Sequence, residues 1–220
     1  MAVVLFDLDR TLIDCNSGRL WVQEEWRTGN IGVPTVVWAS WYLARYSLGL
    51  HDDIAVVFRA ALQMVKGQSE ADMEARVAEW FAREVAHRLR PGAREALEEH
   101  RSRGDRLVLA TSSSPYAARA ACRHFGLDDA ISTRFEVVDG RFTGELLAVA
   151  MGEGKVSETE RWALQAGVAL EECVFYTDSY TDMPLLERVD RPVVVDPDGR
   201  LRREAKRRDW PVVYWGSSNS

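Results

Sequence analysis

The chain has 220 residues, with 28 basic and 34 acidic side chains and a formal net charge of -6. Hydrophobic residues at 46% and charged residues at 28% exclude an intrinsically disordered chain. The acidic balance excludes the broad positive field with which nucleic-acid binders hold a polyanion.

The length fits one core with a sizeable insertion better than two full domains. Cys15, Cys122 and Cys173 are widely spaced, as are the histidines, so neither a disulfide framework nor a zinc site is predicted. Asp7 follows Met-Ala-Val-Val-Leu-Phe directly, which predicts no secretory signal and a reduced, cytoplasmic setting.

Val3–Phe6 is a short apolar, β-branched run and reads as a buried parallel strand. From about Ser17 to His87 the pattern is helical. Asp52-Asp53 precedes an apolar stripe of Ile54, Val57, Phe58, Ala61, Leu62 and Val65, closed by Gly67. Ser69 caps a second stripe with Met73, Val77, Trp80, Phe81 and Val85. Trp21, Trp26, Trp38, Trp41, Trp80, Tyr42 and Tyr46 are predicted mostly to fill the core of this helical segment; the lesser alternative is that one or two of the rings face a site and bind an apolar or cationic group. The apolar stretch 31–50 contains Pro34 and Arg45 and reads as a helix of a soluble unit rather than a membrane span.

From Pro91 onward helices and strands alternate. A helix over 93–103 ends at Gly104, 107–110 is a strand, and Pro115–Phe125 is a helix ending at Gly126. Asp139-Gly140 predicts a hairpin between 135–138 and 141–146. Ser157-x-x-Glu160 reads as a capping box opening a helix toward Gly167. Strands are expected at 173–176, 193–195 and 212–214, and the basic run from Arg200 to Arg208 as a solvated helix face. The Gly-Ser-Ser-Asn-Ser end is expected to fray. The alternation predicts an α/β fold, a Rossmann-like parallel sheet with helices on both faces, plus an inserted all-helical unit. The expected division is a core of 1–16 and 88–220 with the insertion at 17–87.

Sites in open α/β sheets gather beyond the carboxyl ends of the strands. Here those ends carry Asp7-Leu8-Asp9-Arg10-Thr11, Thr111-Ser112-Ser113-Ser114 and Thr177-Asp178-Ser179-Tyr180-Thr181-Asp182, with Lys155 in an intervening Gly-x-Gly-Lys. Gathered carboxylates repel unless a cation or proton neutralises them. Hard oxygens around an open position suit Mg²⁺, and the hydroxyls and ammonium suit phosphate oxygens. The chemistry reads as a Mg²⁺-assisted phosphate site.

These four motifs, in this order, resemble those of the haloacid dehalogenase superfamily, and the hairpin and the Asp-Met-Pro-Leu-Leu run resemble its phosphoserine phosphatase-like branch, which carries a helical cap between the first two motifs. The resemblance implies that Asp7 is the nucleophile and forms an aspartyl-phosphate. It also implies that Asp9 is the general acid and base, and that Thr111, Ser112 and Lys155 bind the phosphate. Mg²⁺ would be held by Asp7, the Asp9 backbone carbonyl and Asp178. Asp182 would order the metal's surroundings or pair with Lys155, and could also be the N-cap of the helix at Pro184. An acid at the Asp9 position favours phosphoryl transfer over dehalogenation.

The implied activity is that of a cytoplasmic phosphomonoesterase acting on a small amino-alcohol phosphate of the histidinol phosphate, phosphoserine or phosphocholine type. The alternatives are a phosphotransferase or mutase using the same aspartyl-phosphate, and a catalytically silent phosphate-binding module. Phosphoserine phosphatases have a glutamate nine residues after the nucleophile, where this chain has Asn16. They have glycines where Ser112-Ser113 stand, and small residues are commoner at Arg10 and Thr177.

Overall fold

A computed structural model describes residues 2–37, 41 and 54–217. Its main sheet has six strands in the order β3-β2-β1-β6-β7-β8: β1 (Val3–Phe6), β2 (Arg106–Ala110), β3 (Asp129–Ile131), β6 (Cys173–Thr177), β7 (Arg191–Val195) and β8 (Val212–Val213). Every pairing in it is parallel. β4 (Arg134–Val138) and β5 (Arg141–Ala148) form a separate antiparallel hairpin. Its turn residues Asp139 and Gly140 both take positive φ, +50° and +71°, as a tight hairpin requires.

Side chains of one strand alternate between the two faces of the sheet, and so feed two separate clusters. Val4, Phe6, Leu107, Leu109 and Val174 point into one, which is covered by α4 (Pro91–Ser102) and α5 (Pro115–Phe125). Leu5, Val108, Ala110 and Phe175 point into the other, covered by α6 (Glu153–Ala166), α7 (Met183–Leu186) and α8 (Gly199–Arg207). The expected parallel α/β sandwich is therefore what the chain forms.

Between β1 and β2 run α1 (Ser17–Arg27), α2 (Ala55–Val65) and α3 (Glu70–Glu84). Ser69 caps α3 by accepting from the Asp72 amide at 3.3 Å. α2 begins at Ala55, while Asp52-Asp53, Trp38, Tyr42, Tyr46 and most of 31–50 lie outside the described residues. Leu62, Met73, Val77, Trp80 and Phe81 join the same cluster as Phe6 and Leu109, so these helices share the core of one sheet face. The hairpin docks on them: the Gly67 amide donates to the Phe142 carbonyl at 2.8 Å and the Phe142 amide to the Gln68 carbonyl at 3.1 Å. Among the described residues, no helix is long and apolar enough to cross a membrane.

Three expectations need correction. Of the tryptophans placed in the helical core, only Trp80 is buried among those described; Trp21 is half-buried, and Trp26 and Trp41 are 54% and 52% exposed. Their neighbours on the helix, not their own hydrophobicity, decide what they cover.

Ser157 does not open a helix. α6 starts four residues earlier, and the Ser157 hydroxyl donates back to the Glu153 carbonyl at 3.1 Å, the other bond a helical serine can make. The C-terminal tail is tied down rather than frayed at its first two residues. The Gly216 carbonyl accepts from Arg90 at 3.0 Å and the Ser217 hydroxyl donates to Asp14 at 3.0 Å. The basic run does form α8, with Leu201 and Ala205 buried and its arginines outward.

Glu158, buried on α6, accepts from Arg134 of β4 at 2.7 Å and from Arg161 at 2.9 Å. Burial raises its carboxyl, but the two guanidiniums outweigh that and hold it below the ordinary range. A depressed folded-state pKa contributes stability above the unfolded value of about 4.3, lost as pH falls through the folded one. Glu158→Gln should therefore lower stability at pH 7 by about 1–2 kcal/mol. Thermal unfolding should show the gap from the parent protein closing below about pH 3.

Candidate active site

Asp7, Thr111 and Asp178 stand at the carboxyl ends of β1, β2 and β6. Those strands are adjacent, with β1 in the middle, so motifs far apart in sequence meet at one rim. The ladder runs on past β1, because the Asp7 amide donates to the Tyr176 carbonyl at 2.9 Å. Asp7, Thr111, Lys155, Asp178 and Asp182 are all buried, with Asp9 half-buried beside them.

Lys155 is the hub. Its ammonium donates to Asp7 Oδ1 at 3.0 Å and to the Asp182 carboxylate at 2.8 Å, and the side chain is 2% exposed. Because α6 begins at Glu153, Lys155 lies in its first turn, not on the loop before it. Two glycines make that start possible. Gly152 takes a left-handed φ of +54°, and a Cβ at Gly154 would collide with the Val149 carbonyl.

Asp182 stands at the N-cap position of α7, yet its side chain makes no capping bond there. It turns instead to Lys155 and to the Thr177 hydroxyl, which donates at 2.7 Å. The larger residue at position 177 is thus part of the support for this carboxylate.

Thr11 is the group that the sequence reading quoted but gave no role. Fully buried, its hydroxyl accepts the Asp178 amide at 3.0 Å and lies 3.2 Å from Asp178 Oδ1 and 3.4 Å from Asp7 Oδ2. It therefore holds the two carboxylates side by side. Arg10, just before it, has a φ of +60°, a region that favours glycine or asparagine, which explains why small residues suit that position. Asp9 Oδ1 accepts the Ser17 amide at 2.7 Å, the first helical N–H of α1. Asn16, at the position of the family glutamate, caps α1 by accepting from the Arg19 amide at 2.8 Å.

On the β2 side, the Thr111 hydroxyl accepts the Ser113 amide at 3.2 Å, and the Ser113 and Ser17 hydroxyls lie 3.2 Å apart. Thr133, fully buried, was not legible as part of this region. Its hydroxyl donates to the Ser112 carbonyl at 2.7 Å and accepts the Ala150 amide at 3.3 Å. It thereby ties the loop carrying Ser112 to the one that starts the Lys155 helix.

The electrostatics follow from crowding. Burial pushes the Asp7 carboxyl up to about 7, with Lys155 opposing and Asp182 and Asp9 adding to the rise. Burial, then Asp7 and Asp182, hold Asp178 well above the carboxylate range. Burial raises Asp9 against the pull of the Ser17 amide. Lys155 is raised instead, because Asp182 and Asp7 outweigh its own burial. One ammonium does not balance this many acids.

Among the described residues, no three side chains of metal-ligating type gather as a closed metal cage. Two carboxylates, Asp7 and Asp178, are instead held side by side by Thr11, and hard oxygens of this kind suit a cation that keeps several waters. Mg²⁺ fits both that set and the unbalanced charge.

On the helical side lies a cavity of about 640 Å³, with Trp21, Phe58, Tyr116, Phe135 and the Glu25–Arg76 pair in its wall.

A family model described as haloacid dehalogenase-like hydrolase matches residues 4–187. A histidinol-phosphatase of Neisseria meningitidis is 30% identical over 96% of this chain and 97% of its own length. A phosphoserine phosphatase of Mycobacterium tuberculosis is 35% identical over 73% of this chain and 53% of that protein. A crystal structure of a protein of unknown function from Bordetella pertussis superposes with a TM-score of 0.84, at 32% identity, covering 96% of this chain and 97% of that one.

Removing the ammonium should leave buried carboxylates facing one another. Lys155→Met is expected to lower unfolding stability by about 3–5 kcal/mol at neutral pH, measured by denaturant titration in the presence of chelator.

Proposed function

Because this chain belongs to the haloacid dehalogenase-like hydrolases, we propose that it hydrolyses small phosphate monoesters through an aspartyl-phosphate on Asp7, with Mg²⁺ as its cofactor. The observation that carries this reading is the buried Asp7–Lys155–Asp182 chain at the meeting of three strand ends. It supplies a nucleophile, a cation for phosphoryl oxygens and an anchor for that cation in one rigid unit.

In this reading an Asp7 oxygen attacks phosphorus as the bond to the leaving alkoxide breaks. Asp9, whose carboxyl burial keeps protonated to higher pH than usual, gives that alkoxide its proton. The same carboxylate then takes a proton from the water that attacks the aspartyl-phosphate, releasing inorganic phosphate and restoring Asp7. Lys155, the Thr111 hydroxyl and the loop at Ser112 hold the phosphoryl oxygens while charge shifts among them. Asp7, Asp178 and the Asp9 carbonyl would hold Mg²⁺, which supplies positive charge to those oxygens. Lys155 is itself fixed by Asp182, so its direction does not depend on substrate.

The helices between residues 17 and 87 act as a cap over this rim, with 1–16 and 88–220 as the core. α1 carries the link between the two: Ser17, bonded to Asp9 and near Ser113, shares a helix face with Trp21 and Glu25. The ester's organic part lies along that face toward the cavity. Relatives named histidinol-phosphatase and phosphoserine phosphatase support an amino-alcohol phosphate. Asn16, already engaged as the helix cap, is not the group that recognises its amine.

Phosphate release from histidinol phosphate, phosphoserine, phosphocholine and an aryl phosphate, with Mg²⁺ and with chelator, tests this directly. Metal-dependent release is expected, and Asp7→Asn should abolish it. Transfer to a second alcohol without free phosphate would favour a phosphotransferase, and silence from folded, Mg²⁺-supplied protein would favour a binding module. Asp9→Asn should lose turnover while binding Mg²⁺ better than Asp178→Asn does, by calorimetry. Trp21→Ala should raise KM for the best ester about tenfold with little change in kcat.

A further inference from the structure

Beneath the carboxylates lies an aromatic stack that the chemistry does not use. Phe6, immediately before Asp7, stacks on Tyr176 with ring centroids 4.9 Å apart and planes 12° from parallel. Tyr176, whose carbonyl receives the Asp7 amide, stacks in turn on Trp215 at 5.4 Å. The Tyr176 hydroxyl lies 3.0 Å from His100 Nε2, and His100 Nδ1 lies 2.9 Å from Asp105, so the middle ring is pinned at its far end.

Trp215 is 8% exposed although only five residues follow it in the sequence. Its amide donates to Asp196 Oδ2 at 3.0 Å, and its carbonyl accepts the Gly92 amide at 3.1 Å. A Cβ at Gly92 would collide with the indole and with the Trp215 backbone, so the contact requires glycine there.

Gly92 lies where the chain returns from the helical insertion to the sheet. The outgoing and returning crossings are cross-tied: the Asp14 amide donates to the Arg88 carbonyl at 3.2 Å and the Arg90 amide to the Leu12 carbonyl at 2.9 Å. The tail grips both. Arg90 donates to Asp196 at 2.8 Å and to the Gly216 carbonyl at 3.0 Å, while Ser217 donates to Asp14 at 3.0 Å. One ring therefore touches the layer under the reacting carboxylates, and its own backbone holds the base of the helical insertion.

We propose that Trp215 is a positioning residue, fixing the crossings at residues 12–14 and 88–92 relative to the strand ends that carry Asp7 and Asp178. The inference rests on the reading of Asp7 as nucleophile and of the insertion as a cap, but its physical content is independent of turnover. A cap whose base shifts by about 1 Å loses alignment worth about a hundredfold in rate, so this ring sets how accurately the cap meets the site.

Hydrogen exchange on the full chain tests the coupling without any substrate. In the parent protein the amides of Gly92, Arg90 and Trp215 should be protected as strongly as those of β1; exchange at unstructured-chain rates would overturn the proposal. Trp215→Ala should speed exchange at Asp7, Asp14, Arg90 and Gly92 about tenfold or more, with less than about a twofold change in α6 on the opposite face of the sheet. An equal rise in α6, or no rise at the crossings, would overturn it.

In the phosphate-release assay Trp215→Ala should lose about 10–100-fold in kcat, and Trp215→Phe, which keeps both the stack and the backbone bonds, should recover most of it. Failure of Trp215→Phe to recover while its exchange pattern is native would count against positioning. Absence of turnover in the parent protein would count against the proposed function and leave the exchange result standing.

Discussion

Several aspartates that would repel one another are held in one buried cluster by a single ammonium, and the rest of the site is arranged around that constraint. Lys155 can serve two carboxylates at once because it leaves the first turn of α6, and α6 begins there because Gly152 takes a positive φ and Gly154 admits the close approach of Val149. Thr177 adds a second donor to Asp182, and Thr11 supplies a hydroxyl beside Asp178, to which the lysine makes no bond. Even so, burial, reinforced by acids that outnumber the base, lifts Asp7 and Asp178 out of the ordinary carboxylate range. A folded protein carries such a charge imbalance where a cation or an anionic ligand's own counter-charges complete the set.

The sheet converts that local problem into a rigid one. With β1 between β2 and β6, the nucleophile candidate sits on the most enclosed strand, and its amide is still part of the ladder. Side-chain alternation gives each face of the sheet a separate task. One face packs α6, which delivers Lys155, and the other packs the aromatic stack and the helices that rise over the rim. The helical insertion has no core isolated from the sheet among the described residues; Phe81 and Trp80 belong to the cluster that contains Phe6. On the positioning proposed for Trp215, motion of the insertion is felt at the strand ends through this shared cluster, which includes Trp215 stacked on Tyr176.

Similarity to a histidinol-phosphatase along the whole chain and to a phosphoserine phosphatase along part of it places the reaction in a class. Asn16 is a helix cap, Ser17 and Ser113 meet beside Asp9, and Trp21, on the same helix as Ser17, stands in the wall of the cavity.

Local chemistry made much of this protein legible before any tertiary contact was known. The apolar runs at β1, β2 and β6, the Ser114-Pro115 start and Gly126 stop of α5, and the Asp139-Gly140 turn are each specified by a few neighbouring residues, so sequence alone placed them. The acids and hydroxyls after each strand identified the rim for the same reason.

What sequence could not decide were the cases where a residue has two local options. Ser157 could cap a helix or bond back within one, and Asp182 could cap α7 or turn to Lys155. A tail of glycine and serine could fray or anchor. Thr133 and Trp215 act through partners 17 residues or more away. In each case the outcome depends on which distant group arrives within hydrogen-bonding or van der Waals reach, and only the packed sheet brings that group there.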